Sequence, residues 1–384
     1  MAKLCVLGCG MVGSAIARDL VVNHQVIAAD KNKKQLQALQ DAAPDINTAV
    51  ADLSDDDAIA DVIADADLVV CAVPGFMGFN VLKAVLNAKK NAVDISFFPE
   101  NALDLDYLAK KNKVFAVVDC GVAPGMDNII LGAHNESMKV ENFECYVGGL
   151  PKRRQWPFEY KAPFSPIDVI EEYTRPVRLV ENGKVTIRDP LTDCELMNFD
   201  KVGTLEAFNT DGLRSLIHTM AHIPNMKEKT LRYPGHSEYI KVLSSSGFFS
   251  ENPIEVEGAS VRPIDFTSKI LIDNWKLKKN ETEFTIMRVI IEGEESGKQK
   301  RYVYNLYDET DHEHGLSSMA RTTGFTATGA ANFLLENSPS EPGIIAPEVF
   351  GGFEGSCEYI LDYLKQRNVV YRKEETTLTT ERTK

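Results

Sequence analysis

Several features are scarce in this chain of 384 residues, and each absence excludes a class of protein. The 7 cysteines are odd in number and form no Cys-x-x-Cys pair, so neither a disulfide framework nor a zinc knuckle is indicated. Lysine and arginine total 42 against 56 acidic residues, and the net charge of −14 argues against binding of a nucleic-acid backbone. No apolar run is long enough to span a membrane, and no signal-peptide pattern precedes the first apolar run. We therefore expect a cytoplasmic protein that binds a small molecule and neither nucleic acid nor membrane.

The composition that remains is that of an ordinary globular protein. Hydrophobic residues make up 44% of the chain and charged residues 26%, which excludes a disordered or fibrous class. A chain of this length is long enough for two domains, each with its own core.

Short apolar runs alternate with amphipathic stretches over residues 1–123. The apolar runs predict buried strands at Leu4–Leu7, Val26–Ala29, Leu68–Val73, Ala92–Ile95 and Val114–Val118. The amphipathic stretches predict helices at Met11–Val22, Lys33–Asp41, Asp55–Ile63, Val81–Ala88 and Leu103–Lys111, with Ser54 as the cap of the third. This alternation is typical of an α/β protein with a doubly wound parallel sheet, the Rossmann fold.

The pattern of apolar residues changes after Gly125, where longer predicted strands with alternating apolar and polar residues replace the short apolar runs. Phe284–Glu292 and Arg301–Tyr307 predict an antiparallel hairpin around a polar loop over 293–300. We predict an α+β domain over 124–316 and returning helices over 317–384, in which Leu316–Leu335 is helical and the polar tail from 373 is frayed. The alternating strands present a face or an edge that needs covering, so we expect a homodimer or a larger homo-oligomer.

A glycine-rich turn follows the first predicted strand and opens the first helix. Gly8-Cys9-Gly10-Met11-Val12-Gly13 fits Gly-x-Gly-x-x-Gly, the pattern that brings a pyrophosphate to a helix N-terminus. Asp30 ends the second strand, where a carboxylate accepts hydrogen bonds from the adenosine ribose and repels a 2′-phosphate. NAD is therefore favoured over NADP, although Lys31, Lys33 and Lys34 soften that preference.

Further cofactor contacts are expected where the later strands end, because ligands of open α/β sheets bind at the carboxyl edge. Asp52 follows a further short strand, expected between the second and third predicted helices, and meets either the adenine amino group or solvent. The remaining candidates are Ala72, Val73 and Pro74 at the end of Leu68–Val73, Ser96 after Ala92–Ile95, and Val122 and Pro124 after Val114–Val118.

Several longer motifs resemble the saccharopine dehydrogenase family and, within it, the lysine 6-dehydrogenases. They are Gly121-Val122-Ala123-Pro124-Gly125-Met126-Asp127-Asn128, Gly148-Gly149-Leu150-Pro151, Phe164-Ser165, Glu172-Tyr173, Asn182-Gly183-Lys184, Lys229-Thr230-Leu231-Arg232-Tyr233-Pro234-Gly235-His236, Met319-Ala320-Arg321-Thr322-Thr323-Gly324 and Pro347-Glu348. The resemblance implies a Rossmann domain completed by C-terminal helices and an inserted domain that carries the substrate site and the dimer contact. The glutamate-forming saccharopine reductases usually carry Asp where this chain has Ala123, and carboxynorspermidine-forming enzymes share much of the pattern.

The run that contains Arg232 supplies the main substrate candidates. A guanidinium binds a carboxylate with two parallel hydrogen bonds, so we predict that Arg232 binds the substrate carboxylate. The alternative is a structural ion pair, in which case the carboxylate-binding residue is Arg153, Arg154 or Arg214. Tyr233 and His236 follow on the same run. We predict polar contact with substrate for Tyr233 and general-base catalysis for His236, against a structural role for each.

Two turns carry the other candidates. Thr210 and Asp211 precede a predicted helix at Leu213–Met220, and Asp211 either meets a substrate ammonium, as base or binder, or caps that helix. Asp127 and Asn128 follow the Pro-Gly turn at the crevice and either bind substrate or cap a helix.

Three other patterns are weaker candidates. Cys120 could be a covalent nucleophile, but a buried structural thiol is favoured by its surroundings. His218 and His222 lack a third ligand, and 311–314 fits a solvated loop, so no metal site is predicted.

The residues and the resemblance together predict an NAD-dependent oxidoreductase that acts on the C–N bond at the ε-amine of L-lysine. The ε-ammonium, with an intrinsic pKa of about 10.4, must first lose a proton. Alternatives left open are a saccharopine or carboxynorspermidine type of imine-reducing enzyme and a non-catalytic NAD-sensing protein.

Overall fold

The structure is a computed structural model that describes residues 1–163, 166–278 and 281–378, so the predicted motif at Phe164 and Ser165 lies outside the described residues. Its strands are β1 Lys3–Leu7, β2 Gln25–Asp30, β3 Asn47–Val50, β4 Leu68–Cys71, β5 Asn91–Asp94, β6 Phe115–Val117, β7 Lys139–Pro151, β8 Val177–Glu181, β9 Lys184–Arg188, β10 Glu195–Phe199, β11 Gly203–Asn209, β12 Asn225–Arg232, β13 Ile254–Val256, β14 Ala259–Val261, β15 Glu283–Glu295, β16 Lys298–Glu309, β17 Gly343–Ile345 and β18 Tyr371–Thr377. Its helices are α1 Met11–Leu20, α2 Lys33–Ala42, α3 Asp56–Ile63, α4 Gly75–Asn87, α5 Asp106–Asn112, α6 Met126–Asn135, α7 Pro166–Thr174, α8 Leu216–Thr219, α9 His236–Ser245, α10 Pro263–Trp275, α11 Ser318–Glu336, α12 Pro347–Gly351 and α13 Ser356–Gln366, with a 3₁₀ turn at Ala102–Leu105. No described helix is both long enough and apolar enough to cross a membrane.

The chain divides into two compact units, described in turn below. The first comprises Met1–Val140, Arg214–Met220 and Met319–Tyr371; the second comprises Glu141–Leu213, Ala221–Ser318 and the chain from Arg372 onward. The predicted division at residues 123 and 124 would separate α6 from the first unit, to which it belongs.

A parallel sheet of seven described strands forms the centre of the first unit. Its order is β17-β6-β5-β4-β1-β2-β3, and every neighbouring pair is parallel. The inner strands are mostly apolar and buried, as in β4, Leu68–Cys71, because helices cover both faces of such a sheet, whereas the edge strand β3 is partly exposed. The predicted Rossmann fold is confirmed.

Close packing between α6 and α12 explains why α6 belongs to the first unit. A Cβ on Gly132 would lie 1.9 Å from the carbonyl oxygen of Glu348, and one on Gly351 would lie 2.2 Å from the carbonyl oxygen of Ile129. Glycine at both positions lets the two helix backbones touch, and any side chain would force them apart.

A mixed sheet of nine described strands forms the second unit. Its main path is β10-β11-β12-β7-β15-β16-β18, and β8 and β9 branch from β12. The long hairpin β15–β16 turns through Ser296 and Gly297, whose φ values of 51° and 73° are both left-handed. A two-residue turn with two positive φ angles matches the natural twist of the strands, so pairing continues almost to the tip. The predicted loop over 293–300 is therefore mostly strand.

The chain end also differs from its prediction. Tyr371–Thr377 forms β18 and pairs with β16, and Glu375 bonds Lys300 at 2.9 Å. The segment was expected to be frayed because it is polar. An edge strand needs backbone pairing more than apolar side chains, and β16 supplies that pairing.

Candidate active site

The glycine turn at the end of β1 has the close backbone contacts that its sequence predicts. A Cβ on Gly8, where φ is +99°, would lie 2.4 Å from the carbonyl oxygen of Ala72, and one on Gly13 would lie 2.0 Å from the carbonyl oxygen of Gly8. Gly10 differs, because no described atom lies within 4 Å of the position its Cβ would take. Two glycines therefore bring the turn against the sheet, and the third leaves room above it. This arrangement fits a dinucleotide pyrophosphate at the N-terminus of α1.

Asp30, at the end of β2, lies directly beside this turn. Its Oδ2 accepts a hydrogen bond from the Cys9 amide at 2.8 Å, and its Oδ1 accepts one from the Asn32 amide at 2.8 Å. The carboxylate is thus held in place by backbone donors, and the exposed Lys31 follows it. Each oxygen retains a second lone pair for a ribose hydroxyl.

Asp52 lies on the surface after β3. Its Oδ1 accepts from the amide and the hydroxyl of Ser54 at 3.1 and 2.8 Å, and these bonds lower the pKa of Asp52. Ser54 therefore does not cap α3 as predicted. Asp55 caps that helix by accepting from the Asp57 amide at 3.0 Å.

The remaining predicted cofactor residues lie at the carboxyl ends of β4 to β6. Ala72 and Val73 follow β4, and α4 begins directly after Pro74, earlier than predicted. Ser96 is buried after β5, while Val122 is buried and Pro124 half-buried after β6. Parallel strands place all of these residues at one edge of the sheet.

Two acids at this edge, Asp94 at the end of β5 and Asp119 just after β6, form a buried cluster in the structure. Asp94 is fully buried, its Oδ2 accepts from the Ser96 amide at 3.1 Å, and its Oδ1 has no hydrogen-bond partner in the described chain. Burial and the nearby Asp119 carboxylate raise the pKa of Asp94 well above its usual range, against the opposing effect of its hydrogen bonds with Ser96. The Cys120 amide donates to the Asp94 carbonyl at 2.9 Å, which places the two strand ends side by side.

Asp119 contacts a cation that reasoning from the sequence did not assign to this edge. Its Oδ2 accepts from the Nε of Arg214 at 2.8 Å, and the guanidinium lies 4.6 Å from the ring centre of Phe97. Arg214 has a left-handed φ of 43°, so the predicted helix at Leu213–Met220 is reduced to α8, Leu216–Thr219. The available signal was an acid at the carboxyl end of each of two neighbouring buried strands, Asp94 in β5 and Asp119 shortly after β6.

Glu348 holds the Arg214 segment in the first unit. Its buried carboxylate accepts from Asn128 at 2.9 Å, from Ser215 at 3.0 Å and from the hydroxyl of Thr219. Asn128 also accepts from the Gly125 amide at 3.2 Å, so it caps α6, the alternative to substrate binding given above. Asp127 is buried on the same turn.

In the second unit, Arg232 is buried and fully engaged. It donates to Glu172 at 3.0 Å, to the Tyr173 hydroxyl at 3.0 Å and to the Leu231 carbonyl at 3.0 Å, and it lies over the Tyr160 ring at 4.4 Å. Its side chain is only 2% exposed. The structure thus gives Arg232 the internal ion pair that was the alternative to a substrate clamp.

His236 continues the same network. The Tyr173 hydroxyl accepts from Arg232, so its own proton donates to the His236 Nε2 at 2.9 Å, and the His236 Nδ1 donates to the Phe158 carbonyl at 2.7 Å. Burial and the Arg232 charge lower the pKa of His236 to about 3. The imidazole is neutral, as a base must be, but both ring nitrogens already have partners within the chain.

The other predicted substrate residues in this unit also have internal partners. Asp211 forms two hydrogen bonds with the Arg178 guanidinium, at 2.9 and 2.7 Å, and does not cap α8. Thr210 bonds Thr230 at 2.9 Å, and the Tyr233 hydroxyl donates to the Pro151 carbonyl at 3.0 Å. The structure brings Arg232 and His236 together in one network, whereas Asp211 has its own ion pair.

The weaker candidates agree with their structural interpretations. Cys120 is fully buried, and burial followed by the charges of Asp94 and Asp119 raises the pKa of its thiol. Asp311 organises an exposed loop by accepting from the His314 amide at 3.0 Å.

Family models match almost the whole chain. Residues 4–117 match the saccharopine dehydrogenase NADP binding domain, and residues 121–370 match the saccharopine dehydrogenase C-terminal domain. The chain belongs to the saccharopine dehydrogenase family. The resemblance seen in the sequence motifs is confirmed.

Individual relatives are distant. The chain is 27% identical to the saccharopine dehydrogenase [NADP(+), L-glutamate-forming] of Saccharomyces cerevisiae, over 66% of this chain and 60% of that protein, and so spans only part of its length. It is 23% identical to the carboxyaminopropylagmatine dehydrogenase of Synechocystis, over 91% of this chain and 92% of that protein. The solved apo saccharopine dehydrogenase of Saccharomyces cerevisiae has the same fold, with a TM-score of 0.78 at 21% identity over 99% of this chain and 100% of that one.

Proposed function

We propose that this protein is an oxidoreductase that uses NAD to oxidise the C–N bond at the ε-amine of L-lysine, giving an imine that water hydrolyses to the semialdehyde. One observation carries the proposal: the dinucleotide turn and the buried Asp94–Asp119 cluster lie at the same carboxyl edge of one sheet. The turn suits a nicotinamide dinucleotide, and the carboxyl oxygens suit an amine. Family membership supports the same class of reaction.

The residues of the site match the needs of amine oxidation. A bound nicotinamide dinucleotide would supply the two-electron acceptor. An amine reacts only with its lone pair free, so an acceptor must hold or take the proton that the ammonium loses. Asp94 Oδ1 is a buried acceptor without a partner in the described chain, and the burial that raises its pKa also strengthens it as a base. We assign this role to Asp94, because His236 and Asp211 are occupied by Tyr173 and Arg178.

The preference for NAD follows from Asp30. A carboxylate anchored by the Cys9 amide accepts ribose hydroxyls and repels a 2′-phosphate. The matching domain model and the yeast relative are both described with NADP, so cofactor choice is a property in which we expect this chain to differ from them.

A second candidate is an enzyme that reduces an imine to a secondary amine, of the saccharopine or carboxynorspermidine type. It is favoured by the relatives named for saccharopine and for carboxyaminopropylagmatine, the latter matching nearly end to end. Both candidates require the same cofactor turn and the same amine acceptor.

A cofactor-reduction screen separates these candidates. L-Lysine, saccharopine, L-ornithine and diamines are each offered with NAD and with NADP, and the reverse reactions are followed by cofactor oxidation. Reduction of NAD with L-lysine is expected. Turnover of saccharopine without turnover of lysine would establish the second candidate, and cofactor binding without turnover of any amine would point to a non-catalytic NAD sensor.

A matched pair of variants tests the role of Asp94. Asp94→Asn keeps the size of the side chain but removes the base, and we expect kcat to fall roughly a hundredfold or more with little change in NADH affinity. Asp65→Asn, an exposed acid shortly before β4 at the opposite, amino edge of the same sheet, is the control and should retain kcat. Equal losses in both variants would remove Asp94 from the mechanism.

We also propose that the protein works as a homodimer in the cytoplasm. The alternating strands of the second unit and the family resemblance support the dimer. Light scattering at micromolar concentration tests it, and a monomer would exclude it. Fractionation of cells tests the location.

A further inference from the structure

The short segment that carries Arg214 is set apart from its neighbours in the chain. Arg214–Met220 belongs to the first unit, whereas Leu213 and Ala221 belong to the second. Glu348 anchors the segment through Ser215 and Thr219. The chain therefore enters the first unit over this segment alone, and the segment places Arg214 at the carboxyl edge of the Rossmann sheet.

The guanidinium of Arg214 is only partly satisfied there. Its side chain is 9% exposed, and its Nε donates to Asp119 at 2.8 Å. Neither Nη has a hydrogen-bond partner among the described residues. Both Nη groups keep access to solvent and stay free to donate, so this geometry favours an anionic ligand that takes two parallel hydrogen bonds from them.

Other arginines of the chain show what a purely structural guanidinium looks like. Arg367, in the same unit, donates from Nε to Asp19 at 2.7 Å and from Nη1 to the Tyr363 carbonyl at 3.1 Å. Arg232 uses all three nitrogens within the second unit. Arg214 alone of these three leaves both terminal nitrogens for a ligand.

The position of Arg214 separates that anion from the cofactor pyrophosphate. Arg214 contacts the end of β6, while the glycine turn follows β1, and β5 and β4 lie between them. Three strand spacings amount to about 14 Å. The anion is therefore expected to belong to another molecule or to a distant part of a bound one.

Polar atoms beside Arg214 indicate the chemistry of that molecule. Asp119 Oδ1 and Asp94 Oδ1 are buried without hydrogen-bond partners in the described chain. The Arg214 guanidinium can bind an anion, and the neighbouring carboxyl oxygens can accept hydrogen bonds from N–H groups. The site therefore matches a ligand that carries both a carboxylate and an amine. Inorganic phosphate would leave the acceptors unmatched.

We propose that Arg214 binds the carboxylate of the amino-acid substrate through its two Nη groups. The inference rests on the proposed function for the identity of the substrate, but the carboxylate contact itself does not depend on which amine reacts. It also moves the predicted clamp from Arg232, whose donors are occupied, to a residue of the first unit.

Arg214→Lys tests the proposal, with Arg367→Lys as the matched control. Lysine keeps the charge and loses the fork, so kcat/KM for L-lysine should fall roughly ten- to a hundredfold in Arg214→Lys. Cadaverine, which has no carboxylate, should be oxidised about equally well by wild type and variant. Arg367→Lys should leave the ratio of lysine to cadaverine activity unchanged. Equal loss of lysine and cadaverine activity in Arg214→Lys, with normal NADH binding, would overturn the proposal.

A binding measurement keeps the test independent of turnover. L-Norleucine has the α-carboxylate but no ε-amine, and its affinity for the NAD-loaded protein is measured by calorimetry. We expect binding by wild type and Arg367→Lys and roughly ten- to a hundredfold weaker binding by Arg214→Lys. If Arg214→Lys binds norleucine more weakly but no amine is turned over, the proposed function is refuted and the carboxylate site is supported. Equal affinities, or no binding by wild type, would sink the site.

Chemical labelling covers the case in which Arg214→Lys does not fold. Phenylglyoxal modifies arginine side chains, and mass spectrometry of the wild-type protein reports labelling of Arg214. L-Norleucine should protect Arg214, and pentylamine should not. Equal labelling with and without norleucine would contradict the proposal.

Discussion

Replacement of Asp30 with Ala should weaken NAD binding and remove the preference over NADP. The side chain makes two contacts in the protein, with the Cys9 and Asn32 amides at 2.8 Å each, and faces the expected position of the ribose. A hydrogen bond to a charged group contributes about 1.5–3 kcal/mol, so loss of one ribose contact should raise the NAD Kd roughly ten- to a hundredfold. NADP should lose only a repulsion, and its Kd should stay level or fall.

The same substitution also has a cost in stability that must be measured separately. The amide of the buried Cys9 loses its partner, and a buried unpaired donor costs about 1–3 kcal/mol, whereas the amide of the exposed Asn32 can bond to water. Asp30→Asn removes the charge but keeps one accepting oxygen, so it should lower cofactor discrimination with a smaller loss of stability. Comparison of the two variants separates the charge effect from the loss of loop anchoring.

Fluorescence titration with NADH and NADPH measures the affinities, and thermal unfolding measures the stability. Asp65→Ala is the control, because Asp65 is exposed and precedes β4, at the edge of the sheet away from the cofactor turn. The reasoning is refuted if wild type binds NADPH tenfold or more tightly than NADH. It is also refuted if Asp65→Ala changes the discrimination as much as Asp30→Ala does.

Three further predictions follow from buried groups. The pKa of His236 falls from 6.5 to about 3 on folding, so the unfolded state takes up the proton first as the pH is lowered. The unfolding free energy should therefore decrease by about 1.4 kcal/mol per pH unit between pH 6.5 and 3, and chemical denaturation should show a shallower decline for His236→Asn. Iodoacetamide should label the exposed Cys194 of the folded protein and spare Cys120, whose pKa burial raises, and rapid labelling of Cys120 that NAD prevents would revive the covalent-nucleophile alternative. Gly132→Ala places a Cβ 1.9 Å from the Glu348 carbonyl oxygen and should lower the unfolding free energy by about 1–3 kcal/mol. An unchanged melting temperature would contradict this prediction, because α6 and α12 would then separate without loss of stability.

Features with a local physical cause were predictable from the sequence. The turn from Gly8 to Gly13 needs glycine because its backbone touches the sheet, and this requirement is visible in the residue types alone. The same holds for Asp30, since an acid at the end of β2 can reach the turn only if strand and turn are adjacent. Buried parallel strands are continuous apolar runs, so β1, β2, β4, β5 and β6 could be predicted from such runs. No long apolar run marks the partly exposed β3 or the three-residue β17.

Side-chain roles in the second unit were not predictable in the same way. Arg232 was a good clamp by residue type, but Glu172 and Tyr173 occupy its donors in the fold. Asp211 was a good base or cap, but Arg178 holds its carboxylate. The partner of a charged side chain is often a residue far away in the chain, and a single sequence does not show which distant residues lie close together in the fold.

The sequence by itself determined the Rossmann sheet, the cofactor turn and membership in a family of oxidoreductases, because each depends on residue type and short-range spacing. Only the tertiary structure decided which charged groups face a ligand. Asp94, Asp119 and Arg214 come from separate parts of the chain, and Glu348 holds the last of them in place through Ser215. A cluster of this kind depends on the meeting of distant segments, since its energy comes from contacts that exist only after the chain has folded.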